Sequence, residues 1–127
     1  MNPQFLERDA VLFLHDHALR EYGGYHGIRD EALLSSALDR PQNRHFYDEA
    51  ADLFDLASAY AYGIAKNHAF LDGNERTAWS CCVLFLKANG IELRAPAIKA
   101  VENTVALATS ELTESAFADW LRSRAAT

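Results

Sequence analysis

Cysteine is nearly absent from this chain of 127 residues: there are two, Cys81 and Cys82, and they are neighbours. Adjacent cysteines rarely bridge, and no second pair completes a metal set, so a disulfide scaffold and a zinc site are both disfavoured. The remaining reading is two small apolar residues on a buried helix. Basic charge is also short. There are 12 Lys and Arg against 18 Asp and Glu, a formal net charge of -6. That argues against binding nucleic acid by broad phosphate attraction, although it leaves room for a small local cationic site. No apolar run approaches the roughly 18 to 20 residues that span a bilayer. The N-terminus MNPQFLERDA has neither the basic start nor the long apolar stretch of a secretory leader. The expectation is a cytoplasmic protein in a reducing compartment, with no membrane and no direct nucleic-acid partner. Strand signals are scarce, and there is no repeat, low-complexity tract or internal linker.

What is present is helical spacing. The composition is 50% hydrophobic and 24% charged, an ordinary globular balance that fits one domain over residues 1–127. Val11, Leu12, Leu14, Ala18 and Leu19 predict a first helix from about Glu7 to Glu21, stopped at Gly23-Gly24. Asp30 is placed to cap a second helix carrying Ala32, Leu33, Ala37 and Leu38, which Pro41 is expected to end. A central helix from Asp52 to Asn67 shows Leu53, Leu56, Ala57, Tyr60 and Ile64 on one face. A fourth starts near Asn74 and closes at Asn89-Gly90. After the short extended IELRAP, Pro96 opens a fifth helix and Thr113 caps a last one. The expected fold is all-α, a compact bundle of about six helices with short connections.

HAFLDGNERT, residues 68 to 77, concentrates the chemistry. It joins the central helix to the start of the fourth, and helix starts carry unpaired N–H groups and a positive dipole end. Gly73 lets the backbone bend into an anion-binding nest. A cation in the first helical turn, Arg76, is unfavourable for the dipole unless an anion comes to meet it, and a phosphate would satisfy both. Asp72 suits Mg²⁺, which phosphate-transfer sites hold through one or two carboxylates and phosphate oxygens. His68 could take a proton from an attacking hydroxyl, while Phe70 and Leu71 are expected to bury their side chains and fix the loop. These are the parts of a phosphoryl- or nucleotidyl-transfer site. Each also has a plainer reading: a helix-end histidine, an ordinary Asp-Gly turn, a surface arginine.

The segment closely resembles the signature of the Fic/Doc superfamily, roughly H-x-F-x-[DN]-[AG]-N-[KG]-R, through His68, Phe70, Asp72, Gly73, Asn74 and Arg76. YGGYHGIRDEALLSSALDRPQN and RTAWSCCVLFLKANG are similar to the death-on-curing (Doc) branch, so the likeness covers most of the chain. The resemblance implies a Fic fold and a toxin of a toxin–antitoxin pair. Such a toxin uses ATP to phosphorylate a threonine of elongation factor Tu and so arrests translation. It implies His68 as general base and Asp72 as the Mg²⁺ ligand. Catalysis would involve His68, Asp72, Asn74 and Arg76. Phe70, Gly73, Asn74, Glu75, Arg76 and Lys66 would surround the nucleotide. Fic-type relatives transfer AMP instead, and a disarmed domain would bind an antitoxin without turnover. The implied antitoxin carries a disordered tail that folds as a helix on binding, and an apolar groove between the terminal helices is expected to receive it.

Glu75 departs from the pattern, which has Lys in Doc-like and Gly in Fic-type motifs. Two like charges ~4 Å apart at an effective dielectric of 20 interact by about 4 kcal/mol, roughly a thousandfold in rate before solvent and Mg²⁺ reduce it. Three accounts fit: an attenuating change, natural or introduced; a solvent-facing side chain with Lys66 covering the phosphate; or an ion pair with Arg76 or a partner's cation. Attenuation is the preferred expectation. Elsewhere, the loop carrying Tyr25, His26 and Arg29 is expected near the motif. His15 and His17, two apart on a helix, read as structural or exposed. Asp48, Glu49, Asp52 and Asp55 read as a solvated helix start.

Overall fold

The computed structural model describes residues 2–126. Six helices follow in order: α1 Arg8–Tyr22, α2 Glu31–Tyr47, α3 Leu53–Asn67, α4 Asn74–Ala88, α5 Ala97–Ala108 and α6 Glu114–Ser123. Strand pairing among the described residues is limited to two isolated antiparallel bridges, Ile28 with Phe70 and Leu93 with Ala125. The second ties the extended IELRAP to the end of the chain. No described helix is long and apolar enough to cross a membrane.

The caps explain where the helices begin. Asp30 accepts from the Leu33 amide and Thr113 from the Ala116 amide. Asp52 and Asp55 form a reciprocal box at the start of α3. The acidic patch is therefore no loose solvated start. Arg122, on α6, donates to Asp52 at 2.8 and 2.9 Å and to Asp55 at 3.1 Å, and this network fastens the last helix to the central one. Asp48 pairs with Arg44 instead.

α3 is the axis of the molecule, packed against α2, α4, α5 and α6. The sequence suggested one apolar face; the helix is in fact surrounded. Ala57, Ser58, Ala59, Ala61, Gly63 and Ala65 are buried along with Leu56, Tyr60 and Ile64. Small residues on its remaining sides let neighbouring helices approach from all round, as a centrally buried helix requires. Burial pushes the Tyr60 hydroxyl up to about 12, so it stays neutral and accepts from the Leu6 amide at 2.9 Å. Cys81 and Cys82 are fully buried on α4. Burial raises the Cys81 thiol to about 12 and Cys82 further, which leaves both as inert core residues.

Pro41 does not end α2, which continues to Tyr47. A proline inside a helix removes one bond, here to the carbonyl of Ala37. That carbonyl lies against Gly63, where an added Cβ would come within 3.2 Å of it and 3.1 Å of the Ala37 Cα. α2 and α3 cross closely here, and α2 continues past the proline. Gly63→Ala should therefore force the two backbones apart and cost about 1–3 kcal/mol in urea unfolding.

The α3–α6 network has a signature in acid. Burial alone would raise the Asp52 carboxyl; the Arg122 guanidinium and the Asp55 amide outweigh it, so the group sits below its ordinary value. A carboxyl depressed in the fold contributes stability that is present above its unfolded value and lost as pH falls through the folded one. Arg122→Met should lower stability by about 1 kcal/mol at neutral pH, the half-exposed pair being partly screened. The deficit should shrink below pH ~4.

Candidate active site

The turn between α3 and α4 is closed from inside. α3 stops at His68, which takes a left-handed conformation (φ 51°, ψ 50°). Arg29 satisfies the carbonyls that this ending exposes, donating from Nε to His68 O at 2.7 Å and from Nη2 to Asn67 O at 3.0 Å. The loop carrying Tyr25 and Arg29 lies along the motif, as expected. The Arg29 and Asp30 amides donate to Ala69 O, and the Leu71 amide to Gly27 O. Asn74, 3% exposed, then staples the turn: its Oδ1 accepts from the Phe70 amide at 3.1 Å and its Nδ2 donates to Phe70 O at 3.0 Å. Phe70 is 1% exposed. Phe70 buries its side chain as expected, whereas Leu71, also expected to be buried, is 52% exposed. The side chains of Phe70 and Asn74 support the turn from beneath.

Gly73 (φ 76°, ψ 19°) is the residue before α4, and no side chain caps the helix there. Its left-handed backbone suits glycine. Because Asn74 is turned inward, the first amides of α4 are left to whatever comes from outside. Asp72 stands beside this start. Its Oδ2 accepts from the Tyr25 amide at 2.7 Å and its main-chain carbonyl from His15 Nε2 at 2.8 Å. Among the described residues no group of three metal-type side chains assembles, so Asp72 offers a single carboxylate.

The exposed groups flank the helix start. The His68 side chain is 53% exposed and its Nε2 lies 3.9 Å from Glu75 Oε1. Glu75 thus stands beside the motif's own imidazole. Arg76 reaches the other way, its Cζ 3.7 Å above the centre of the Tyr22 ring. Gly73, Glu75 and Arg76 with Tyr22, Trp79 and Val101 line a cavity of about 440 Å³ between α4 and α5. Beside it Ile98, Val101 and Val105 of α5 are exposed. An apolar groove therefore lies here, at α4 and α5. Lys66 is drawn elsewhere: its ammonium donates to the Ser110 hydroxyl and to Ala108 O, which removes it as the cation that covers for Glu75.

His15 was underrated. It is 6% exposed and stacks on Phe70 with ring centroids 3.8 Å apart. Burial, outweighing the bond to the Asp72 carbonyl, holds its pKa below the ordinary histidine value. A signal was available, since His15 is four residues from Val11 on an apolar helical face. His17 is exposed near Glu21.

Staple and exposed groups should separate by mutation. Asn74→Ala leaves two buried backbone groups of Phe70 unpaired and should cost roughly 2–4 kcal/mol. His68→Ala, at an exposed ring, should change urea stability by less than about 0.5 kcal/mol.

Comparison with known proteins agrees with this geometry. The family model described as Fic/DOC family matches residues 5–86. The chain is 36% identical over 115 residues to "Protein kinase doc" of Escherichia phage P1, covering 90% of each. It is 40% identical over 93 residues to "Toxin Doc" of Mycolicibacterium smegmatis (strain ATCC 700084 / mc(2)155), covering 72% of this chain and 69% of the relative. A stapled turn, a bare helix start and this breadth of likeness lead to one conclusion: the chain belongs to the Fic/DOC family.

Proposed function

We propose that this chain is a Doc-like toxin, a phosphotransferase that uses ATP to phosphorylate a threonine of elongation factor Tu and so arrests translation. The observation that carries the reading is the uncapped start of α4 at Gly73, with the exposed His68 on one side and Arg76 on the other. The names of the two relatives, a protein kinase and a toxin, favour phosphate transfer over AMP transfer.

The roles follow from position. The amides at the start of α4 and the Arg76 guanidinium receive the phosphate oxygens with charge-assisted bonds. His68, as neutral imidazole, accepts the proton of the attacking threonine hydroxyl. The donor chemistry fits Mg²⁺: Asp72 has one oxygen held by the Tyr25 amide, and its second oxygen would join phosphate oxygens in holding the ion. Bound there, Mg²⁺ would neutralise phosphate charge. Asn74 and Phe70 keep the turn in shape.

Glu75 lowers the activity in this account. Its carboxylate sits at the mouth of the anion seat, beside His68, where it repels an incoming triphosphate. It is 39% exposed, so solvent reduces the full repulsion to an expected ~10- to 100-fold effect on rate. A cognate antitoxin would neutralise the toxin by folding a disordered tail as a helix over the exposed α5 stripe of Ile98, Val101 and Val105.

Mass spectrometry of elongation factor Tu after incubation with Mg-ATP tests the reading. The expected result is addition of a phosphate on a threonine, lost with His68→Ala and raised about 10- to 100-fold with Glu75→Lys. Addition of an adenylyl group would replace kinase by AMP transferase. No modification even with Glu75→Lys would leave a disarmed, antitoxin-binding domain.

A further inference from the structure

One face of α1 reaches three successive parts of the motif turn. His15, Leu19 and Tyr22 are spaced four and three residues apart and so lie along one side of the helix. His15 donates from Nε2 to the Asp72 carbonyl at 2.8 Å. A carbonyl only accepts, which fixes the proton on Nε2. Leu19 packs where a Cβ on Gly73 would come within 3.3 Å of its Cδ2. Tyr22 lies beneath the Arg76 guanidinium at 3.7 Å.

Each contact has a directional consequence. The peptide joining Asp72 to Gly73 is planar and trans, so drawing its oxygen toward α1 turns the Gly73 N–H to the opposite side. Stacking on Tyr22 occupies the face of the guanidinium and leaves the in-plane N–H edge available to an anion. It also restrains a long side chain that would otherwise lose rotamer freedom when phosphate binds.

We infer that α1 is the template of the nucleotide seat, with His15 a positioning residue for the Asp72–Gly73 backbone and Tyr22 a positioning residue for Arg76. The inference rests on the reading of this turn as a nucleotide site. Both residues act through the groups they hold and take no part in the transfer itself.

Paired substitutions separate positioning from general support. Tyr22→Phe keeps the ring and Tyr22→Leu removes it; His15→Gln keeps a donor and His15→Phe keeps only the ring. In calorimetric titration with Mg-ATP, Tyr22→Leu should bind about 5- to 10-fold more weakly while Tyr22→Phe stays within about twofold. His15→Phe should weaken binding by about tenfold, with most of the loss recovered in His15→Gln. Without nucleotide, the Arg76 Nε–H resonance should show an upfield ring-current shift in wild type and Tyr22→Phe that disappears in Tyr22→Leu. Affinity unchanged in Tyr22→Leu and His15→Phe, or lost equally in the conservative partners, would overturn the inference. If wild type binds no Mg-ATP, the nucleotide reading fails by itself. The positioning of Arg76 is then decided by the resonance alone: present and ring-dependent supports it, absent in wild type overturns it.

Discussion

Two hydrogen bonds between one side chain and one backbone position hold the turn from α3 to α4. Asn74 is both donor and acceptor, and it satisfies the amide and the carbonyl of Phe70 where neither meets water. The same commitment has a second effect. An asparagine near a helix start commonly caps it; this one faces inward, so α4 begins with its amides unclaimed. Stability of the turn and openness of the helix start come from a single residue. His68 before it and Gly73 beside it both take left-handed conformations.

The electrostatics of the site then follow from backbone more than from side chains. The chain is acidic, with net charge -6, and its cations are largely engaged. Arg29 holds the end of α3, Lys66 the end of α5, and Arg122 joins α6 to α3. Arg76 is different, because stacking on Tyr22 leaves its hydrogen-bonding edge uncommitted. On the proposed reading, the local positive seat of this acidic protein would consist of one helix start and one guanidinium, against which Glu75 would be a large perturbation.

Local physics was legible in the sequence and long-range physics was not. The caps Asp30 and Thr113, the Asn89-Gly90 ending and the Gly73 turn depend on residues a few positions apart, and pattern alone locates them. Pro41 misleads because the rule for proline is local, whereas α2 runs on to Tyr47 and packs closely on α3 at Gly63. His15 was passed over because its partner, Asp72, is 57 residues away. The motif marked out the site, but not which of its side chains face inward. Spacing does not show that Asn74 faces inward, that Leu71 faces out, that Lys66 reaches Ser110 or that Glu75 lies beside His68. Each of these depends on where neighbouring helices lie.

The central claim is that the start of α4 receives a nucleotide's phosphates. Backbone amide chemical shifts followed during titration with Mg-ATP test it most directly. The account predicts the largest saturable shifts at Gly73, Asn74, Glu75 and Arg76, with smaller ones at Asp72 and His68. Saturable shifts centred elsewhere, with these amides unmoved, would contradict it.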